Sequence, residues 1–151
     1  MRNRTYRKAV PGDAAACIDI RARTRENAFS EEQLRELGIT VDTWSDGIRD
    51  GSCPGYVCCM DDRMIGYCFG DRGSGEIVVL ALLPEYEGQG IGRMLLQFVV
   101  DDFKVAGFKR LFLGCSTDAA VRSYGFYRHL GWVSTGELDD AGDEVLEYRL
   151  G

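Results

Sequence analysis

Seven residues, Glu87-Gly88-Gln89-Gly90-Ile91-Gly92-Arg93, follow an apolar run that ends at Pro84 and lead into an amphipathic stretch that continues Met94-Leu95-Leu96. Glycine at alternate positions lets the chain turn sharply and brings several backbone N–H groups up to one ligand at the positive end of a helix. The ligand such a turn suits is a phosphate. A plain strand-to-helix connection also uses glycine, so the turn alone reads both ways. Its surroundings narrow the chemistry. No Gly-Lys-Ser/Thr follows, which removes the lysine and the hydroxyl that a magnesium–nucleotide loop requires. The spacing is not the Gly-x-Gly-x-x-Gly of a dinucleotide fold either. What is left is a pyrophosphate cradle of another kind.

The elements that must hold this turn follow from hydropathy. Tyr6 to Val10 is a short strand closed by Pro11-Gly12, and Asp13 is placed to cap a helix running to about Ala28. Ser30-Glu31-Glu32 opens a second helix with Leu34 and Leu37 one turn apart, and Val41 to Ile48 forms a third carrying Trp44. Three strands follow as a meander: Gly55 to Met60, Met64 to Phe69 and Glu76 to Leu83, joined by turns at Asp61-Asp62 and Asp71 to Gly75. The helix from Gly90 to about Ala106 sets Ile91, Met94, Leu95, Phe98, Val99 and Phe103 on one face. Beyond it come a strand at Lys109 to Cys115, a helix at Asp118 to Leu130, and a final pair at Trp132 to Gly136 and Val145 to Leu150.

With Pro84 before it and Arg93-Met94-Leu95-Leu96 after it, the pattern Glu87-x-x-Gly90-x-Gly92 resembles the acetyl-coenzyme A signature of the GNAT superfamily of N-acetyltransferases. The family writes Gln or Arg at the first position, where this chain has Glu87. A carboxylate beside a pyrophosphate is tolerated if it points to solvent, because the cradle is made of main-chain donors. The order of elements is similar to the GNAT fold over nearly the whole chain. The resemblance implies a mixed α/β fold, with a mostly antiparallel twisted sheet flanked by helices, over one domain spanning residues 1–151. In that fold the strand at Glu76 to Leu83 splays from the strand at Lys109 to Cys115, and the pantetheine arm lies in the notch. Leu80, Ala81 and Leu82 would then supply main-chain bonds to the pantetheine and the acetyl carbonyl, and Glu87, Gly88, Gln89, Gly90, Ile91, Gly92 and Arg93 would form the pyrophosphate loop. The donor so implied is acetyl-CoA, with no metal.

The chemistry follows from the substrate class. A primary amine, with a reference pKa near 10 for a lysine-type group, cannot attack a thioester until its proton leaves, so a base is required. The tetrahedral intermediate needs an oxyanion donor, and the departing thiolate benefits from an acid. In GNAT histone acetyltransferases a glutamate opens a Glu-Ile-Val segment eleven residues before the signature's first position, and Glu76-Ile77-Val78 with Glu87 keeps that spacing. Glu76 therefore reads as the base, its pKa raised by apolar neighbours. It also reads as a solvated residue of the turn Gly73-Ser74-Gly75. The segment Tyr124-Gly125-Phe126-Tyr127, followed by Gly131-Trp132, is similar to the family's second coenzyme-binding region, which makes Tyr127 the acid beside the sulfur. Tyr124 and Phe126 read as core packing. Many members place an asparagine seven residues before that tyrosine; here it is Ala120, and Thr117, Asp118 and Arg122 are candidates to compensate.

The remaining features bound the function. The net charge of -6 argues against a general nucleic-acid binder, and it would draw cationic amines as well as simply keep the chain dissolved. No run reaches the roughly 18 apolar residues of a membrane helix, and the start Met1-Arg2-Asn3-Arg4-Thr5 has no signal-peptide core, so a cytoplasmic protein is expected. Six cysteines without a Cys-x-x-Cys pair read as reduced core thiols, and the single His129 gives no zinc set. His129 itself reads as a surface residue at a helix C-terminus. Arg122 and Arg128 read as solvated or as phosphate contacts. In this fold the acceptor meets the segments at about Arg21 to Gly51, which includes Arg23, Arg25, Glu26, Asn27 and Trp44, and at Ser134 to Glu144. The acceptor is a small-molecule or peptide amine, and a homodimer is compatible with the sequence. Two functions stand: an acetyl-CoA-dependent N-acetyltransferase, and a non-catalytic acyl-CoA-binding or regulatory domain.

Overall fold

The structure, a computed structural model, describes residues 3–24 and 28–150. Its frame is a seven-stranded open sheet in the order β1-β2-β3-β4-β5-β7-β6, formed by Arg4–Lys8 (β1), Gly55–Met60 (β2), Arg63–Asp71 (β3), Glu76–Leu82 (β4), Arg110–Cys115 (β5), Val133–Leu138 (β6) and Glu144–Arg149 (β7). Every neighbouring pair is antiparallel except β4 with β5. Asp61 and Asp62 join β2 to β3 with positive φ of 50° and 69°, the mirror-image turn whose twist suits a two-residue hairpin. The alternation of β3 then divides its side chains between two helical layers. Tyr67 and Phe69 face helices α1 (Ala14–Arg21) and α3 (Val41–Asp50): the Tyr67 hydroxyl donates to the Cys17 carbonyl at 2.9 Å, and the Trp44 ring meets both rings edge-on at 5.6 and 5.4 Å. Gly70 faces α4 (Ile91–Val105), so closely that an added Cβ would lie 2.3 Å from Phe103.

α4 anchors the glycine turn by burying Ile91, Leu95, Leu96, Val99, Val100 and Phe103, each such side chain contributing about 1.5–3 kcal/mol relative to exposure. The face is rotated from the one the sequence suggests. Met94 is 44% exposed while Leu96 and Val100 are buried, because the helix crosses β2, β3 and β4 and so buries a broader stripe than one row of residues. Phe98 packs against Tyr56 and Tyr6 at 5.1 and 5.6 Å.

Two helices are shorter than expected, and the two aspartates read as helix starts bond backbone amides in turns instead. Asp13 does not cap α1. Its carboxylate accepts the Val10 N–H at 2.8 Å and both terminal nitrogens of Arg7 at 2.8 Å, which fixes a 3-10 turn at Pro11–Asp13, and α1 ends at Arg21. Asp118 accepts the Ala120 N–H at 2.9 Å in a turn, so α5 begins only at Arg122 and runs to His129. By contrast α2 (Glu31–Glu36) has the expected start, with Ser30 and Gln33 each bonding the other's backbone N–H. All six cysteines are free thiols, five of them buried. Among the described residues no helix is long and apolar enough to cross a membrane.

Candidate active site

After β4 the chain passes through a 3-10 turn at Pro84–Tyr86, held by the buried Leu83 and Tyr86, and then through the glycines. Gly88 and Gly90 have φ of +79° and +80°, a conformation that costs other residues roughly 1–2 kcal/mol. A Cβ on either would meet nothing within 4 Å, so the space above the turn is open. Gly90 is the N-cap of α4, no side chain caps that end, and the Met94 N–H, at 3.1 Å from the Gly90 carbonyl, is the first taken into the helix. The amides of Ile91, Gly92 and Arg93 therefore lie at an uncapped positive helix end with no acidic residue in its first turn. This geometry fits a pyrophosphate. Gly92 is already helical, and a Cβ there would lie 3.7 Å from Phe126 and 3.9 Å from Leu80. β4, the first turn of α4 and α5 thus converge at one point.

Glu87 does not point to solvent. Its side chain is only 16% exposed and one oxygen lies 3.4 Å from Arg122 Nε on α5. The departure from the family's first position is thereby neutralised by a cation from the facing helix, a pairing that runs across the mouth of the notch. Gln89 is exposed, its Oε1 accepting from Arg4 at 2.7 Å, and Arg93 is exposed on the first turn of α4.

β4 and β5 share a single register pair, Glu76 with Phe112, supported by the Phe112 N–H donating to the Gly75 carbonyl at 3.2 Å. Beyond that point the strands part. Leu80, Ala81 and Leu82 pair with Cys68, Tyr67 and Gly66 of β3, and their β5-facing edge has no ladder partner among the described residues. This unpaired edge opens toward the glycine turn. The opposite edge of β4 carries a bulge: Phe69 opposes Val79 and Gly70 opposes Ile77, leaving Val78 as the extra residue.

Tyr127 is 9% exposed on α5, its ring against Phe126 at 5.0 Å and Trp132 at 6.0 Å. Burial raises its pKa, with smaller contributions from the Cys68 and Cys115 thiols, and its hydroxyl makes no hydrogen bond among the described residues. It is a neutral phenol with a donor to spare. Ala120, where many members have asparagine, lies exposed in the turn before α5. Two groups suggested as its substitutes are engaged elsewhere, Asp118 with the Ala120 N–H and Arg122 with Glu87, while Thr117 is exposed. Arg128 does not reach toward the notch either: it pairs with Glu144 and lies over the Tyr124 ring at 3.7 Å.

Glu76 sits half-buried at the closed end of the β4–β5 pair, directly opposite Asp71 in the β3 ladder. Burial raises its pKa, and the charges of Asp71 and Asp139 raise it further. Asp139 belongs to the β6–β7 connection, which folds over β5 so closely that a Cβ on Gly114 would lie 2.5 Å from its carboxylate. Asp143, on the same connection, is raised by burial and by Asp139. At a strand rise of about 3.3 Å per residue, Glu76 is roughly 13 Å from Leu80 along β4, so the two halves of the expected site lie at opposite ends of one strand. Among the described residues no group of His, Cys, Asp and Glu is placed to hold a metal ion.

The acceptor segments are only partly described, since Arg25, Glu26 and Asn27 fall outside the described residues. Arg23 pairs with Asp19 on the surface of α1, and His129 is exposed at the C-terminal end of α5. What the sequence did not reveal is a cavity of about 250 Å³ between α2, α3 and the bulge of β4. Its wall includes Leu34, Trp44, Val78 and Val79. The apolar residues of α2 were a signal for it, but the bulge that brings Val78 into the wall has no sequence signature.

A sheet with one parallel pair splayed next to an uncapped, glycine-lined helix start has the geometry that a long pyrophosphate-bearing carrier would fit. Residues 14–132 match the model of the acetyltransferase (GNAT) family, and the chain belongs to that family. Its fold is shared with the PaiA N-acetyltransferase of Thermoplasma acidophilum, solved with coenzyme A, at TM-score 0.80 and 20% identity over 98% of this chain and 99% of that one. YncA of Salmonella typhimurium, solved with acetyl-CoA, aligns at TM-score 0.75 and 20% identity over 99% and 95% of the two chains. The ribosomal-protein-S18-alanine N-acetyltransferase of Escherichia coli aligns at TM-score 0.73 and 18% identity over 99% and 95%. A search of the curated proteins gives no match.

Proposed function

We propose that residues 1–151 act as one cytoplasmic domain that transfers the acetyl group of acetyl-CoA directly to a primary amine within a ternary complex. The observation that carries this reading is the open β5-facing edge of Leu80–Leu82, leading straight into the uncapped turn at Gly88 and Gly90. Bound acetyl-CoA supplies a thioester carbonyl as electrophile and a thiolate as leaving group. The amides of the turn and of the first turn of α4 would hold the two phosphates, and the main chain of Leu80, Ala81 and Leu82 would hold the pantetheine and polarise the carbonyl. Arg122 keeps Glu87 paired, which removes a repulsive charge from the phosphate site.

Glu76 is the base. Its raised pKa brings it closer to that of an ammonium group, and its distance from Leu80 along the strand means that it takes the proton through intervening water. Tyr127 would serve the leaving sulfur as a hydrogen-bond donor. Its pKa lies above the phenolic reference near 10 and a thiol's lies near 8.5, so complete proton transfer is uphill and the hydroxyl stabilises the thiolate by a charge-assisted hydrogen bond. The test is product stoichiometry: with an amine panel and acetyl-CoA, one free thiol should appear for each N-acetyl amide. Coenzyme binding with no amide formed from any amine would instead make the chain a binding domain.

A further inference from the structure

The cavity between α2, α3 and β4 lies beside the proposed catalytic strand, with Phe29, Leu34, Leu37, Trp44, Val78 and Val79 in its wall. We propose that it seats the apolar part of the acceptor, and that the acceptor is a small monoamine on an aliphatic or aromatic body of roughly four to six carbons. This assignment rests on the transferase reading given above.

Three observations carry it. The first is size: about 250 Å³ lies just below the roughly 300–1,000 Å³ of pockets that hold small molecules, which suits a small body and not a folded segment. The second is that its apolar wall is left open, since Leu37 is 64% and Val78 48% exposed. The buried indole N–H of Trp44 has no partner among the described residues, and that ring packs edge-on against Tyr67 and Phe69. The third is charge. Val78 follows Glu76 by two residues on β4, so both side chains leave the same face of the strand, with Asp71, Asp139 and Asp143 near the Glu76 end. That acidic end favours the approach of a cationic amine, whose apolar body then enters the cavity. The charged wall residue among the described ones is Arg21, whose guanidinium lies 4.7 Å from the centre of the Phe29 ring. A second cation on the acceptor would be driven into an apolar space, which disfavours polyamines.

The test is a linear alkylamine series from propylamine to hexylamine, whose members have nearly equal basicity, compared with ethanolamine, spermidine and a peptide led by phenylalanine. Two readouts are taken: kcat/KM from thiol release, and the Trp44 indole N–H resonance of the coenzyme A-bound protein on addition of each amine. Each methylene should raise kcat/KM roughly fourfold, as expected for burial in an apolar pocket. Hexylamine should move the Trp44 resonance, and Leu37→Asp should flatten the series. A flat series with Trp44 unmoved, or preference for spermidine or the peptide, overturns the inference and leaves the transferase reading intact. Movement of Trp44 by hexylamine with no amine acetylated overturns the transferase reading and retains the cavity as an amine site.

Discussion

Replacing Gly90 with asparagine separates the two things this glycine does. Asparagine enters the left-handed region at little cost, so the φ of +80° is kept, whereas its side chain projects into the space where an added Cβ now meets nothing within 4 Å. If the two phosphates sit there, at least two charge-assisted bonds from the turn amides are lost. Such bonds contribute about 1.5–3 kcal/mol each, so coenzyme A affinity should fall a hundredfold or more. Stability should change little. Gly90→Ala makes the complementary comparison: its Cβ is smaller but strained at this φ by about 1–2 kcal/mol, which should lower the melting temperature by several degrees. Gly92→Ala serves as the control for stability alone, since that position is helical and the nearest atoms would be at 3.7 and 3.9 Å, an ordinary contact. Titration calorimetry with coenzyme A and thermal denaturation read the two quantities independently. A folded Gly90→Asn protein that binds coenzyme A as tightly as the parent would place the phosphates elsewhere and refute the reasoning.

Tyr127→Phe should lower kcat about ten- to a hundredfold with coenzyme affinity nearly unchanged, the range expected for one hydrogen bond to a charged group; an unchanged kcat would return Tyr127 to a packing role. Because burial and the Asp71 and Asp139 charges raise the Glu76 pKa, the acid limb of kcat against pH should lie above the ordinary glutamate value near 4.3. Glu76→Gln should abolish that limb and lower the rate near neutral pH, recovering in part as alkaline pH frees the amine; an unaltered profile would remove Glu76 as the base. Asp13 behaves oppositely: burial alone would raise its pKa, but the Arg7 and Val10 bonds and the Arg7 charge outweigh this and hold it below the ordinary value. Its contribution to stability is therefore present above the unfolded value near 3.9 and is lost as pH falls through the folded one. Asp13→Asn should cost about 1 kcal/mol at neutral pH, a modest figure because Arg7 is 45% exposed, and the difference should vanish in denaturant titrations in strong acid.

The parts of this fold that depend on local patterning were legible in the residues. β2 and β3 flank the Asp61-Asp62 turn, and Ser30 marks where α2 begins. The glycine turn was legible for the same reason, since Gly88 and Gly90 occupy backbone conformations that few other residues adopt. Competition between side chain and backbone was not. Asp13 and Asp118 both looked like helix starts, yet each bonds a nearby amide in a turn, which displaces the start of α5 by four residues. Contacts between distant segments were also out of reach. The pairing of Glu87 with Arg122 does not follow from spacing, and the parting of β4 from β5 was expected only through the family resemblance. The Val78 bulge likewise depends on how β3 and β4 pack together.

The most direct test of the central claim is a titration of the isotopically labelled protein with coenzyme A, followed through its backbone amide resonances. The amides of Gly88 to Arg93 and of Leu80 to Leu82 should shift together and saturate at one equivalent, with Arg93 and Ile91 among the largest movements. Saturable binding that leaves both groups unmoved, and instead perturbs the exposed cavity beside Arg4 and Arg63, would contradict the placement of the coenzyme in the β4–β5 notch.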